Sequence, residues 1–212
     1  DFYERVQKHY LKLDAMGVNY GYESVPITSK VEWEGKAFLF HLFTGSTDMT
    51  IEYKINEEGW EPYERPFSIS ESSTIVARGF KNGKKYGDFE QKVFITNSTT
   101  KTVEYTCAYH DNYPAQGKGS LTDGLIGSPD NFRDGFWQGF WAEDVEVVID
   151  LGSEQSFSEI RTGFFQYYLS WIMLPKKVEY AISNDGENFE IIYSEQNKIS
   201  PQKEGTFRYD FV

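Results

Sequence analysis

A chain of 212 residues is long enough for one large domain or two modest ones. Its formal net charge of −12 repels phosphate backbones and anionic lipid, which argues against nucleic-acid and membrane-surface partners. One cysteine, Cys107, excludes an internal disulfide framework and a cysteine-based zinc site, and no apolar run reaches the roughly 18 residues needed to span a bilayer.

Residues 1–17, DFYERVQKHYLKLDAMG, predict the one strong helix. Phe2, Val6, Leu13 and Met16 fall near one face beside Tyr10 and Leu11, with Asp1 as a candidate N-cap and Gly17 as the stop. A lone amphipathic helix needs a partner for its apolar stripe, so this one is expected to close a body that lies upstream. No leader is visible at Asp1. From 24 to 97 the pattern changes to short strands: KAFLFHLF (36–43), TIEYKI (50–55, with Ile51, Tyr53 and Ile55 on one face), PFSI (66–69), STIVARGF (73–80) and FEQKVFIT (89–96). NEEGW (56–60) reads as a turn, and Asn82-Gly83 carries the hairpin signal. Such spacing predicts a small antiparallel sandwich.

The polar stretch after Asn97 marks a domain boundary. Beyond it, VEVVIDLG (145–152) is expected to be a buried strand. SEIRTGFFQ (158–166), KKVEYAIS (176–183), EIIYS (190–194) and FRYDFV (207–212) are expected to be further strands, with NDGENF (184–189) as a turn. Between 109 and 144 the chain is rich in Gly and aromatics and nearly aperiodic. Segments of that kind inside a compact domain are usually functional or pinned by a cation.

Two stretches of this segment carry the chemistry. In SLTDGLIGS (120–128), Asp123-Gly124 makes a tight turn with Ser128 five residues on. A carboxylate, carbonyls and a hydroxyl converging there suit a hard cation of the calcium kind; an Asx-turn is the plainer reading. In FRDGFWQGFW (132–141), Phe136, Trp137 and Trp141 offer flat apolar faces, while Arg133, Asp134 and Gln138 offer polar groups. Sugar pockets need both kinds; the plainer reading is that one or both Trp plug the core. Further on, FFQYYLSWIMLP (164–175) places Trp171 in the expected core and leaves Tyr167 and Tyr168 as candidates for a ligand surface. Cys107 is read as a small buried hydrophobe, and His9, His41 and His110 as structural or exposed. No G-x-S-x-G elbow, P-loop or H-E-x-x-H motif occurs, so abundant carboxylates by themselves do not argue for catalysis.

The residues that remain resemble a known arrangement. The helical stretch ending LDAMGVNY resembles the closing helix of the catalytic barrel in family-20 glycoside hydrolases, the β-N-acetylhexosaminidases and chitobiases. TIEYKINEEGW followed by PFSISESSTIVARGF resembles the C-terminal Ig-like domain of the same enzymes. Thr74, Ile75, Ala77, Phe80 and Gly83 match, while Asn56 and Glu57 stand where Asp-Gly is usual. LTDG (121–124), FWQGF (136–140), VIDLG (148–152), WIMLP (171–175) and ISNDGENF (182–189) resemble the discoidin, or coagulation factor V/VIII C-type, domain that also forms family-32 carbohydrate-binding modules.

The resemblance implies an all-β fold: a terminal helix over 1–20, an Ig-like sandwich over 21–99, and a discoidin jelly roll over 100–212 whose last strand is missing. It implies a structural calcium ion held by the Asp123 carboxylate, Ser128 and the Leu121 carbonyl, with Leu125 standing where Asn or Asp is frequent. It further implies a secreted or otherwise extracytoplasmic, monomeric, non-catalytic region of a glycoside hydrolase. That region would grip galactose or N-acetylhexosamine glycan through the loops at 129–141 and 164–170. Two rivals stay open: a structural brace for the upstream catalytic domain with no ligand, and a protein or lipid adhesion module, which the acidity opposes.

Overall fold

The computed structural model describes residues 2–18, 26–33, 37–96 and 101–212. It is mostly β with one short N-terminal helix, and the chain divides into two compact units between Thr96 and Asn97. The expected N-cap Asp1 and the linker residues 97–100 lie outside the described residues. No described helix is long and apolar enough to cross a membrane.

Unit 1 opens with α1 (Phe2–Ala15). The helix ends where the sequence says it must. Gly17, with φ of 64°, sends its N–H to the Asp14 carbonyl at 2.9 Å, and Val18 N donates to the Leu13 carbonyl at 3.0 Å. This pair of bonds satisfies carbonyls that the last turn leaves open. Much of the apolar stripe stays uncovered: Phe2, Leu11 and Met16 are exposed. At its C-terminal end, Asp14 meets the Lys81 ammonium at 2.7 Å, which Asp48 also contacts at 3.2 Å.

Seven strands follow: β1 (Ile27–Trp33), β2 (Phe38–Thr44), β3 (Thr50–Ile55), β4 (Glu61–Pro62), β5 (Phe67–Ile69), β6 (Ser73–Lys81) and β7 (Lys84–Ile95). They build one antiparallel sheet in the order β1-β2-β5 and a second that runs β4-β3-β6-β7. β6 alternates strictly between buried and half-buried positions, as expected where one face of a pleated strand meets a core. Ile75 and Ala77 on β6, and Phe40 on β2, are fully buried. Rings cross from sheet to sheet. Tyr53 of β3 stacks on Phe67 of β5 at 4.2 Å, and Phe89 of β7 meets Phe40 edge-on at 6.4 Å. Burying each such side chain contributes about 1.5–3 kcal/mol. The β6–β7 hairpin turns at Asn82 and Gly83, both with positive φ (50° and 77°), which is the backbone that an Asn-Gly pair tolerates best.

Unit 2 holds β8 (Thr102–Tyr105), the short β9 (Leu125–Ile126), β10 (Val147–Asp150), β11 (Thr162–Tyr167), β12 (Lys177–Ile182), β13 (Glu190–Gln196) and β14 (Thr206–Phe211). Three antiparallel ribbons form: β8–β10, β11–β14 and β12–β13. Phe211, Phe165, Leu174 and Val103 are buried, and the Tyr180 hydroxyl of β12 donates to the Phe211 carbonyl of β14 at 2.9 Å. Gln166 is also fully buried. Its amide N–H groups donate to the Ser200 and Pro201 carbonyls at 2.9 and 3.3 Å, so a polar side chain is held in the core at little cost.

Three expectations fail here. The stretch 145–152 contributes a four-residue strand that is not buried: β10 pairs with β8 alone among the described strands, and Ile149 and Asp150 are exposed. Trp171 is not core but 86% exposed. It sits at the tip of a turn closed by the Tyr167–Ile172 bridge, in left-handed backbone (φ 59°), which throws its ring outward. Cys107 is half-buried, and desolvation pushes its thiol pKa up.

Candidate functional site: the 105–141 loop of unit 2

The aperiodic stretch folds into a layered loop held by side chains that cap backbone groups. Asp123 accepts its own turn's Leu125 N–H at 2.8 Å, the Asx-turn that its sequence allowed. Asp134 receives the N–H groups of both Ser128 and Phe136, the latter at 2.9 Å, and so clasps two limbs of the loop together. Burial dominates both carboxyls. Desolvation raises each pKa to about 6, partly countered by these backbone N–H donors. Ser128 is buried; its hydroxyl donates to Asp130, and its carbonyl accepts the Trp137 indole N–H at 3.1 Å.

Trp137 is therefore a half-buried plug. Its ring lies 5.3 Å from Phe165 and 5.8 Å from the Arg208 guanidinium, and it presses on Gly127. A Cβ at Gly127 would come within 2.2 Å of the indole, so only glycine lets the backbone approach this closely. Phe136 is buried beside it. Gln138 is turned inward as well: its carbonyl accepts from the Tyr105 hydroxyl at 2.9 Å and its amide donates to the Gly117 carbonyl at 2.8 Å. Of the expected sugar-contacting residues, then, Phe136, Trp137, Gln138 and Asp134 hold the loop together and have little left to offer a ligand.

Trp141, Arg133 and Tyr168 face outward. Trp141 is 77% exposed, and its ring lies 6.2 Å from His110. Arg133 is exposed, with its guanidinium 5.0 Å over Phe132. Tyr168 is exposed on the turn that also presents Leu169 and Trp171. The turn 110–113 is laid against Gly139: His110 N donates to the Gly139 carbonyl at 2.7 Å, and Gly139 N to the Tyr113 carbonyl at 3.0 Å. A Cβ on Gly139 would stand 3.0 Å from Tyr113 Cβ, a tight contact that Tyr113 would have to ease by a few tenths of an ångström. The Asn112 N–H donates to His110 Nδ1 at 3.1 Å, which leaves Nε2 as the donor nitrogen of that ring. His110, Tyr113 and Phe132 were not among the expected site residues. They are scattered in sequence, and no spacing rule brings them together.

For the cation loop the donors are few. Leu121 is exposed, Asp123 is buried, and the Ser128 oxygens already serve Asp130 and Trp137. Among the described residues no group of three or more His, Cys, Asp or Glu converges. Of Leu121, Asp123 and Ser128, Asp123 alone offers a carboxylate. Comparison with protein-family profiles and with curated proteins finds no match for this chain.

Proposed function

We propose that unit 2 is a glycan-binding module and that the chain is a non-catalytic accessory region of a secreted β-N-acetylhexosaminidase-like glycoside hydrolase. In this reading unit 1 is the Ig-like spacer and unit 2 a discoidin-type jelly roll. The two antiparallel sheets of unit 1 and the loop-topped ribbons of unit 2 support it. The observation that carries it is Trp141. A large apolar ring left 77% exposed, on a loop whose other large rings are half-buried or buried, offers a flat face to a sugar. Tethered to a catalytic domain, even weak binding would raise the local concentration of substrate. The test is a titration of N-acetylglucosamine and galactose into the full chain, followed by Trp fluorescence and amide chemical shifts. Saturable changes at millimolar sugar are expected, and a flat response removes the reading.

A second reading, a brace with no ligand, draws on the inward turn of Phe136, Trp137 and Gln138. It predicts the flat response. A calcium ion at Asp123, with the Leu121 carbonyl and the hydroxyl or carbonyl of Ser128, belongs to the first reading and rests on that one desolvated carboxylate. Millimolar calcium against chelator should then raise the thermal midpoint of unit 2. Equal midpoints in the two conditions dismiss the ion.

A further inference from the structure

Trp141 belongs to a larger feature, of which the sequence singled out only Trp141 and Tyr167. Four successive ring contacts join elements far apart in sequence. Trp141 lies 6.2 Å from His110, His110 6.1 Å from Tyr113, Tyr113 6.0 Å from Phe132, and Phe132 6.1 Å from Tyr167. The interplanar angles run from 40° to 50°. Tyr53 and Phe67 of unit 1, by contrast, stack face to face at 4.2 Å and 9°. Rings that touch at their edges and tilt, rather than stack, do not use up each other's faces. Trp141 and His110 are exposed, and Tyr113, Phe132 and Tyr167 are half-buried; Phe132 also lies 6.0 Å from the buried Phe165, so the series keeps an edge to solvent and rests on the core at Phe132.

We propose that this track of Trp141, His110, Tyr113, Phe132 and Tyr167 seats several consecutive units of an extended, uncharged oligosaccharide, not one terminal sugar. The proposal rests on the glycan-binding reading and adds the length and charge class of the ligand. Three observations converge on it. The rings succeed one another at a near-constant step, whereas a single sugar covers only one or two of them. The track is mounted on fixed backbone: the Pro114–Gln138 bridge, the two Gly139 hydrogen bonds and the Gln138 amide hold its centre, so little ordering is needed on binding. Charge selects the class. Asp111 adjoins His110 and Glu143 and Asp144 follow Trp141, all exposed, so an anionic polymer is repelled at that end. The donor Nε2 of His110 and the Arg133 guanidinium over Phe132 supply polar groups for hydroxyls along the way.

The experiment is a length series. The full chain is titrated with N-acetylglucosamine and its β-linked dimer through pentamer by calorimetry and amide shifts. Affinity should climb with each added unit until the track is filled, reaching about tenfold or more between monomer and tetramer. Amides at 110–113, 132 and 167 should shift together. Trp141→Ala and Tyr167→Leu, at opposite ends, should each weaken the tetramer and flatten the length dependence; the folded spectrum of each variant is checked first. Affinity independent of length, or loss from only one end variant, overturns the track while the glycan-binding reading stands. No response to any sugar overturns both. An oligogalacturonate binding more tightly than the neutral tetramer overturns the charge class.

Discussion

Asp123 and Asp134 give the loop a pH response opposite to the usual acid destabilisation. Each carboxyl is desolvated, with a folded-state pKa raised from 3.8 to about 6. The folded state therefore holds more protons than the unfolded chain between about pH 4 and pH 6. The stability tied to each group is fully present below the unfolded pKa and is lost as pH rises through about 6. A tenfold change in proton affinity is worth about 1.4 kcal/mol. Taking unit 2 from pH 7 to pH 4.5 should recover about 1–2 kcal/mol per group after allowing for partial solvent screening. For a unit of this size that is on the order of 10 °C in thermal midpoint for the two together. Carboxylates that bind the folded state in their charged form act in another window. Asp185 accepts the Asn188 N–H first and then its side chain, and Asp48 accepts the Ser46 hydroxyl and the Lys81 ammonium. Both have depressed pKa values, so their contribution is kept above the unfolded pKa near 4 and lost only below it. Calorimetry of the full chain between pH 7 and pH 4.5, beside an Asp123→Asn/Asp134→Asn double variant, separates the two classes. The wild type should gain stability on acidification and the variant should gain far less. A midpoint that falls between pH 7 and pH 5, or an identical slope in the variant, refutes the assignment.

Other perturbations test the supports of the loop and of unit 1. Gly127→Ala would drive a methyl into the Trp137 indole. It should cost about 1–3 kcal/mol and shift the fluorescence of unit 2, whereas a neutral result would mean that the ring is free to move. Lys81→Met removes the ammonium shared by Asp14 and Asp48, whose hydrogen bonds hold the lysine pKa above its usual value. A loss of about 2 kcal/mol is expected, with faster hydrogen exchange in α1, and unchanged exchange would show that the helix is held by other contacts. Phe40→Ala empties a fully buried site between the sheets of unit 1. It should cost about 3–5 kcal/mol in denaturant unfolding, and a cost below about 1 kcal/mol would show that the sheets close over the gap.

Local pattern made much of this protein legible. The helix and its Gly17 stop, the β3 and β6 strands and the Asn82-Gly83 turn follow from periodicities and backbone preferences that act over a few residues, and the structure keeps them nearly residue for residue. The all-β class follows from the same signals. What the sequence did not determine is which rings face out. Trp137, Trp141 and Trp171 stand in similar aromatic company along the chain, yet one is a plug and two are exposed. The difference arises from contacts distant in sequence: Phe165 and Gly127 receive Trp137, while the left-handed turn at Trp171 turns its ring away. The same holds for the ring series from Trp141 to Tyr167, whose members span more than a quarter of the chain and meet through backbone pairing at Gly139 and Gln138. Propensity acts locally and can be read in order. Exposure depends on what else arrives at a surface, and only the folded chain decides that.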